Sequence, residues 1–168
     1  MGILTEFPST AGIEGSPTSG GATVADLRAL PSPQALTVLF LRDWCEGPEG
    51  RKRVASVLKG ALGPAQGSAA CEAWDSLIGM LVGEGRRPLM RHDLGCRCVG
   101  SDEAVIANLL AVAATGARED AMLVVSLLLP GDRLIVAAHF AEVAGLAVAR
   151  ADLRGQKRYR PDTPNILH

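Results

Sequence analysis

Residues 46–85 read EGPEGRKRVASVLKGALGPAQGSAACEAWDSLIGMLVGEG, and this stretch decides the fold class. Gly-Pro pairs stand at 47–48 and 63–64, and each is followed by a run rich in helix-forming residues. Glycine favours the end of a helix, and proline is tolerated in the first turn of the next because its missing N–H has no helical partner there. The stretch therefore predicts helices over about 48–62 and 64–82, joined by a very short loop.

The sequence on either side continues this pattern of helices separated by glycine and proline. Ser32-Pro33 supplies a capping residue and a first-turn proline for a helix that we expect to reach Glu46. Further glycine, proline and capping residues predict three more helices, over about 101–115, 118–129 and 132–151. Their apolar residues fit a helical period better than the alternation of a strand. We therefore predict an all-α fold of about six helices in a single orthogonal or antiparallel bundle.

The two ends of the chain differ in composition from the central part. Of the first 30 residues, 14 are Gly, Ser, Thr or Pro, which gives few apolar groups to offset the loss of chain entropy. We expect residues 1–31 to be mobile, with a short helix near 24–30 that could dock, and residues 32–151 to form the helical domain. Residues 152–168 are predicted to be a flexible basic tail.

Composition limits the classes of function. The 168 residues are 48% hydrophobic and carry a formal net charge of −1, so no broad electrostatic field is available for nucleic acid or anionic lipid. The N-terminal sequence lacks the basic start and apolar run of a signal peptide, and the apolar stretches are shorter than the roughly 20 residues that span a bilayer. We expect a cytoplasmic protein with reduced thiols and no membrane association.

Most of the residues that could bind a metal or take part in chemistry lie in the segment 86–100. Cys96 and Cys98 project to one side of an extended chain, His92 lies four residues earlier, and packing could add Cys45 or Cys71. Four N and S ligands of this kind suit a structural zinc site. A loop with ordinary reduced thiols is the simpler alternative, and a redox dithiol is less well supported because C-x-x-C beside a βαβ unit is absent. We predict no organic cofactor, and zinc is the one candidate metal.

Basic residues in the same segment suggest a second use, the binding of a partner. Arginine donates charge-assisted hydrogen bonds to carboxylates, so an exposed basic loop would recognise an acidic surface on a protein. Nucleic acid is a weaker alternative, because the helix at 132–151 offers few side chains that read bases. No catalytic motif is evident, and the oligomeric state is left open. The candidate partner-binding residues are Arg87, Arg91, Arg97 and Arg158.

The motif R-H-x-x-G-C-R-C-x-G-x-D-E, at residues 91–103, carries a family resemblance that continues into Ala114-Thr115-Gly116-Ala117-Arg118-Glu119-Asp120-Ala121. Over about residues 33–150 the chain resembles a group of short, uncharacterised alphaproteobacterial helical proteins. The resemblance implies a bacterial cytoplasmic setting and an all-helical fold, and it implies no activity.

Overall fold

The computed structural model describes residues 19–159, and within them the predicted all-α bundle of six helices is confirmed. The helices are α1 (Ser32–Cys45), α2 (Pro48–Leu62), α3 (Pro64–Gly83), α4 (Ser101–Ala114), α5 (Arg118–Ser126) and α6 (Leu134–Tyr159). Single 3-10 turns lie at Ser19–Gly21, Leu27–Ala29 and Gly131–Arg133.

The Gly-Pro pairs act as the sequence predicts. Gly47 and Gly63 adopt φ values of 94° and 84°, which residues with a side chain rarely adopt, and each directly precedes the proline that begins the next helix. The single residue between α2 and α3 makes the two helices fold back against each other. Local sequence therefore sets both the ends and the order of these helices.

Helix α6 forms the centre of the bundle, since it packs against all five other helices. Its buried face consists largely of alanines, which let neighbouring helices approach closely, whereas larger side chains on α3 and α4 fill the remaining space. Phe40 and Trp74 meet edge to face with ring centroids 5.8 Å apart. The buried alanines of α6 are Ala137, Ala138, Ala141, Ala144, Ala147 and Ala151.

By length and composition, one helical stretch among residues 19–159 could cross a bilayer. This stretch, Gly131–Lys157, includes α6, and 44% of its most apolar window is buried inside the bundle. Helix α6 packs against the other five helices, and its buried face contributes to the core of the bundle.

The N-terminal region differs from the prediction. Residues 24–30 do not form a helix: β1 (Thr23–Asp26) pairs antiparallel with β2 (Cys98–Gly100), and only Leu27–Ala29 makes a helical turn. The prediction was wrong because the backbone of 23–26 is paired with a strand that begins only at Cys98, a partner that the local sequence does not specify. Ser19–Gly21 also belongs to the ordered structure, whereas the predicted mobility of residues 1–18 concerns positions outside the described residues.

The C-terminal boundary differs as well. Helix α6 continues to Tyr159, so the first eight residues of the predicted basic tail are helical. Asp152 accepts a hydrogen bond from Ser32, and Arg154 donates one to the carbonyl of Ala61, so this end of α6 contacts both α1 and α2. These tertiary contacts carry the helix beyond the predicted end at Ala151. Residues 160–168 lie outside the described part.

Candidate functional site

Residues 84–97, which we call the strap, connect α3 to β2 without helix or strand and cross one end of the bundle. The strap contains most of the predicted site residues. Its first part is fixed to the end of α5: the Arg86 N–H donates to the Leu128 carbonyl at 2.9 Å, and the Arg86 side chain donates to two further carbonyls, of Ser126 and Leu129, at 3.2 Å. An irregular segment therefore gains the backbone partners that a helix would supply internally.

The far end of the strap is held by a buried arginine that sequence analysis missed. Arg42 of α1 is fully buried, and it forms a two-pronged ion pair with Glu103 at 2.7 and 2.8 Å. Its remaining donors reach the carbonyls of Cys96 and Cys98, each at 2.6 Å. Every guanidinium nitrogen thus has a partner, which offsets the cost of burying the charge.

The carboxylate of Glu103 forms hydrogen bonds with α1, the strap and β2. Besides Arg42, it accepts hydrogen bonds from the backbone N–H of Gly100 at 2.8 Å and of His92 at 3.1 Å, and the His92 Nδ1 lies 3.2 Å away. Burial by itself would raise the pKa of Glu103, but the hydrogen bonds from Arg42 and the two backbone amides outweigh burial and leave the pKa below its usual value. Glu103 is therefore an ionised anchor.

Asp102 holds the middle of the strap in the same way. Asp102 is buried and accepts hydrogen bonds from both terminal guanidinium nitrogens of Arg87, the one from Nη1 at 2.7 Å. It also accepts a hydrogen bond from the Met90 N–H at 2.9 Å. Burial would raise the pKa of Asp102, yet these bonds outweigh it and lower the pKa. Both acids lie in the first turn of α4, where the helix dipole favours negative charge, and their bonds to the strap add a second role.

The predicted partner-binding arginines occupy three different environments. Arg87 is paired with Asp102, Arg91 lies 3.2 Å from Glu46, and Arg97 lies 3.1 Å from Asp26. Arg97 is the most exposed of the three, at 62%, and Arg91 is 28% exposed. Arg158 lies at the end of α6, far along the chain from the strap, and its side chain is outside the described set.

The predicted zinc ligands are not assembled into one site. Among the described residues, no three His, Cys, Asp or Glu side chains form a group suited to a metal ion. His92 faces Glu103, and the Cys96 Sγ accepts a hydrogen bond from the Cys98 N–H at 3.3 Å. Burial raises the pKa of Cys45 and also that of Cys71, which keeps both thiols protonated. Zinc binding stays a prediction without a supporting geometry.

One cavity of about 380 Å³ adjoins the strap, and we call it the Trp44 pocket. It lies between the end of α1, the start of α2, the end of α3 and the strap. Trp44 is held in place by a 2.6 Å hydrogen bond from its Nε1 to Asp75, and Arg51 stacks on its ring. The residues that line the pocket include Trp44, Cys45, Arg51, Val82, Leu89 and Arg91.

No protein-family model matches the chain, and neither a curated protein nor a solved structure matches it. The resemblance to short alphaproteobacterial proteins stays a prediction.

Sequence analysis missed Arg42 and Arg51, two residues on which the site depends. A signal for Arg42 is present in retrospect, since it follows directly after the apolar run Val38-Leu39-Phe40-Leu41 and shares the buried side of α1 with Val38 and Leu41. Its partner, 61 positions later, is not specified by local sequence. Arg51 carries no such signal, because it belongs to an ordinary charged face of α2.

Proposed function

We propose that the protein is a non-enzymatic interaction module of the bacterial cytoplasm, in which the strap binds an acidic surface of a protein partner. The observation that supports this role is the way the strap is held: an irregular segment is fixed by buried ion pairs, while the side chain of Arg97 is exposed and that of Arg91 is partly exposed. Fixing the segment in advance lowers the entropy cost of association. Arg87 acts as a positioning residue, since its bonds go to Asp102.

The protonation states of the site support a binding role over a catalytic one. Asp102 and Glu103 have lowered pKa values and are therefore weak proton acceptors near neutral pH. Cys45 and Cys71 have raised pKa values, so little of the nucleophilic thiolate is present. The buried acids stabilise the strap instead.

Exposed ion pairs do not prevent Arg91 and Arg97 from binding a partner. Surface pairs contribute roughly 0–1 kcal/mol, so a better placed carboxylate can replace Glu46 or Asp26 at small cost. Neither zinc binding nor nucleic-acid binding has a comparable observation in its favour among residues 19–159, and we propose neither as a second function.

The test is capture of partners from a bacterial lysate on the immobilised full chain, followed by quantitative mass spectrometry. We expect the double variant Arg91→Ala/Arg97→Ala to lower recovery of acidic partners about tenfold, the equivalent of ~1.4 kcal/mol. Far-ultraviolet circular dichroism should show unchanged helicity. Arg118→Ala/Arg150→Ala removes the same charge from exposed positions outside the strap and should retain the partners.

Two outcomes would reject this function. One is equal recovery by the strap variant and the control variant. The other is loss of helicity in Arg91→Ala/Arg97→Ala, which would assign these arginines to the fold.

A further inference from the structure

The Trp44 pocket combines a fixed aromatic ring, an apolar wall and two guanidinium groups in one cavity of about 380 Å³. This volume falls within the range of small-ligand pockets. Val82, which is 51% exposed, and Leu89 form the apolar wall, and Trp44 is fixed by Asp75. Such a cavity accepts an apolar side chain next to a charged group.

The charges of the pocket are not balanced. Arg51 places its guanidinium carbon 3.9 Å from the centre of the Trp44 ring, and among the described residues it forms no ion pair. Arg91 is paired with Glu46 at 3.2 Å. Burial raises the pKa of Cys45 despite the opposing effect of Arg91, so the thiol contributes no negative charge. Among the described residues that line the cavity, the two guanidinium groups are therefore the charged groups and no carboxylate is present, while Glu46 and Asp75 lie beside the lining through their contacts with Arg91 and Trp44.

Glu46 indicates which anion the pocket takes. Its carboxylate already lies 3.2 Å from Arg91, which lines the cavity, and its side chain is 43% exposed. A planar carboxylate matches the paired N–H groups of a guanidinium.

We propose that the Trp44 pocket binds a peptide carboxylate between Arg51 and Arg91, with the adjacent apolar side chain of the peptide against Val82 and Leu89. Glu46 is an internal competitor, which the peptide displaces from Arg91. This inference rests on the proposed function, because it assigns the position at which the acidic partner binds. It also brings in Arg51 of α2, which lies outside the strap.

The experiment is a titration of the full chain with two short peptides. Acetyl-Ser-Glu-Leu-Ser-amide offers a side-chain carboxylate, and acetyl-Ser-Ser-Leu with a free C-terminus offers a terminal one. Acetyl-Ser-Gln-Leu-Ser-amide is the neutral control. Tryptophan fluorescence reports binding, since Trp44 lines the pocket and the other tryptophan, Trp74, is 1% exposed and is not among the residues that line it.

We expect at least one carboxylate peptide to bind and the neutral peptide to bind at least about fivefold more weakly. Arg51→Ala should weaken binding by about fivefold, and Arg51→Lys should recover only part of the loss because lysine lacks the planar fork. Glu46→Gln should strengthen binding by about threefold. Arg118→Ala, the matched control, should leave binding unchanged, and thermal melts should show that all variants are folded.

Several results would overturn the pocket assignment: no binding of either carboxylate peptide, equal binding of the neutral peptide, no effect of Arg51→Ala, or weaker binding in Glu46→Gln. The relative affinity of the two carboxylate peptides shows whether a side-chain or a terminal carboxylate is preferred.

Lysate capture separates this inference from the proposed function. Capture that depends on Arg97 but not on Arg51 would support the strap and reject the pocket. Peptide binding without loss of capture in Arg91→Ala/Arg97→Ala would establish a carboxylate site in the pocket but reject both the strap and the pocket as the binding site of the captured partner.

Discussion

The helical bundle and the strap solve the same problem, the burial of polar backbone, by different means. In α3, α4 and α6 the backbone groups between the first and last turns are paired within their own helix, so these helices pack mainly through apolar contacts. The strap has a single internal backbone hydrogen bond, from the Cys96 N–H to the Asp93 carbonyl, and it depends mainly on side chains from α1 and α4 that reach its backbone. Apolar packing has no required direction, whereas these hydrogen bonds do. We therefore expect the two regions to differ sharply in their tolerance of substitution.

The largest effect is expected at the ion pair under the strap. Arg42→Met leaves Glu103 as a buried charge without its main partner and frees the carbonyls of Cys96 and Cys98. Breaking one partner of a buried pair costs about 3–5 kcal/mol. Urea unfolding measures this loss. Arg53→Met, the control, removes a half-exposed pair with Asp43 and should cost about 1 kcal/mol or less. Similar losses of stability in the two variants would show that the buried Arg42–Glu103 pair contributes no more than an ordinary surface pair.

A smaller effect is expected in the bundle, from a substitution that only removes packing. Leu109 of α4 is fully buried, and Leu109→Ala should lower the free energy of unfolding by roughly 3 kcal/mol, with the helical content retained. Leu123→Ala is the matched control, because Leu123 is 69% exposed and its loss should change stability by about 0.5 kcal/mol or less. Equal effects at the two leucines would show that α4 does not lie in the core.

The smallest effect is the response of the strap to acid. Asp102 and Glu103 have pKa values below their ordinary 3.8 and 4.5 in the folded protein, so their contribution to stability is complete above about 4.5. It is lost as the pH falls through the lowered folded values. Urea unfolding at a series of pH values should show a decline below about 4.5 that is less steep in Glu103→Gln, which cannot titrate at this position. A variant curve as steep as the wild-type curve would assign the acid response to other carboxylates.

Much of the bundle could be predicted because its determinants are local. Gly63 needs a positive φ, Pro64 needs a helix start, and both requirements are met within a few residues. The strand at 23–26 could not be predicted in this way, since its partner is 98–100. The site shows the same limit: the motif at 91–103 predicted a set of thiols around His92, but the partner of His92 is Glu103.

By itself, the sequence determined how many helices there are and where most of them begin, because these properties depend on backbone preferences within a few residues. The end of α6 at Tyr159 was decided by its contacts with α1 and α2. Tertiary structure alone decided that Arg42 is buried beneath the strap, that Asp102 and Glu103 hold it, and that Arg51 meets Arg91 beside Trp44. The physical reason is the separation along the chain between the groups that interact. A helix forms its hydrogen bonds four residues apart, whereas a charge is paired with whatever group folding brings within about 3 Å, however distant in sequence.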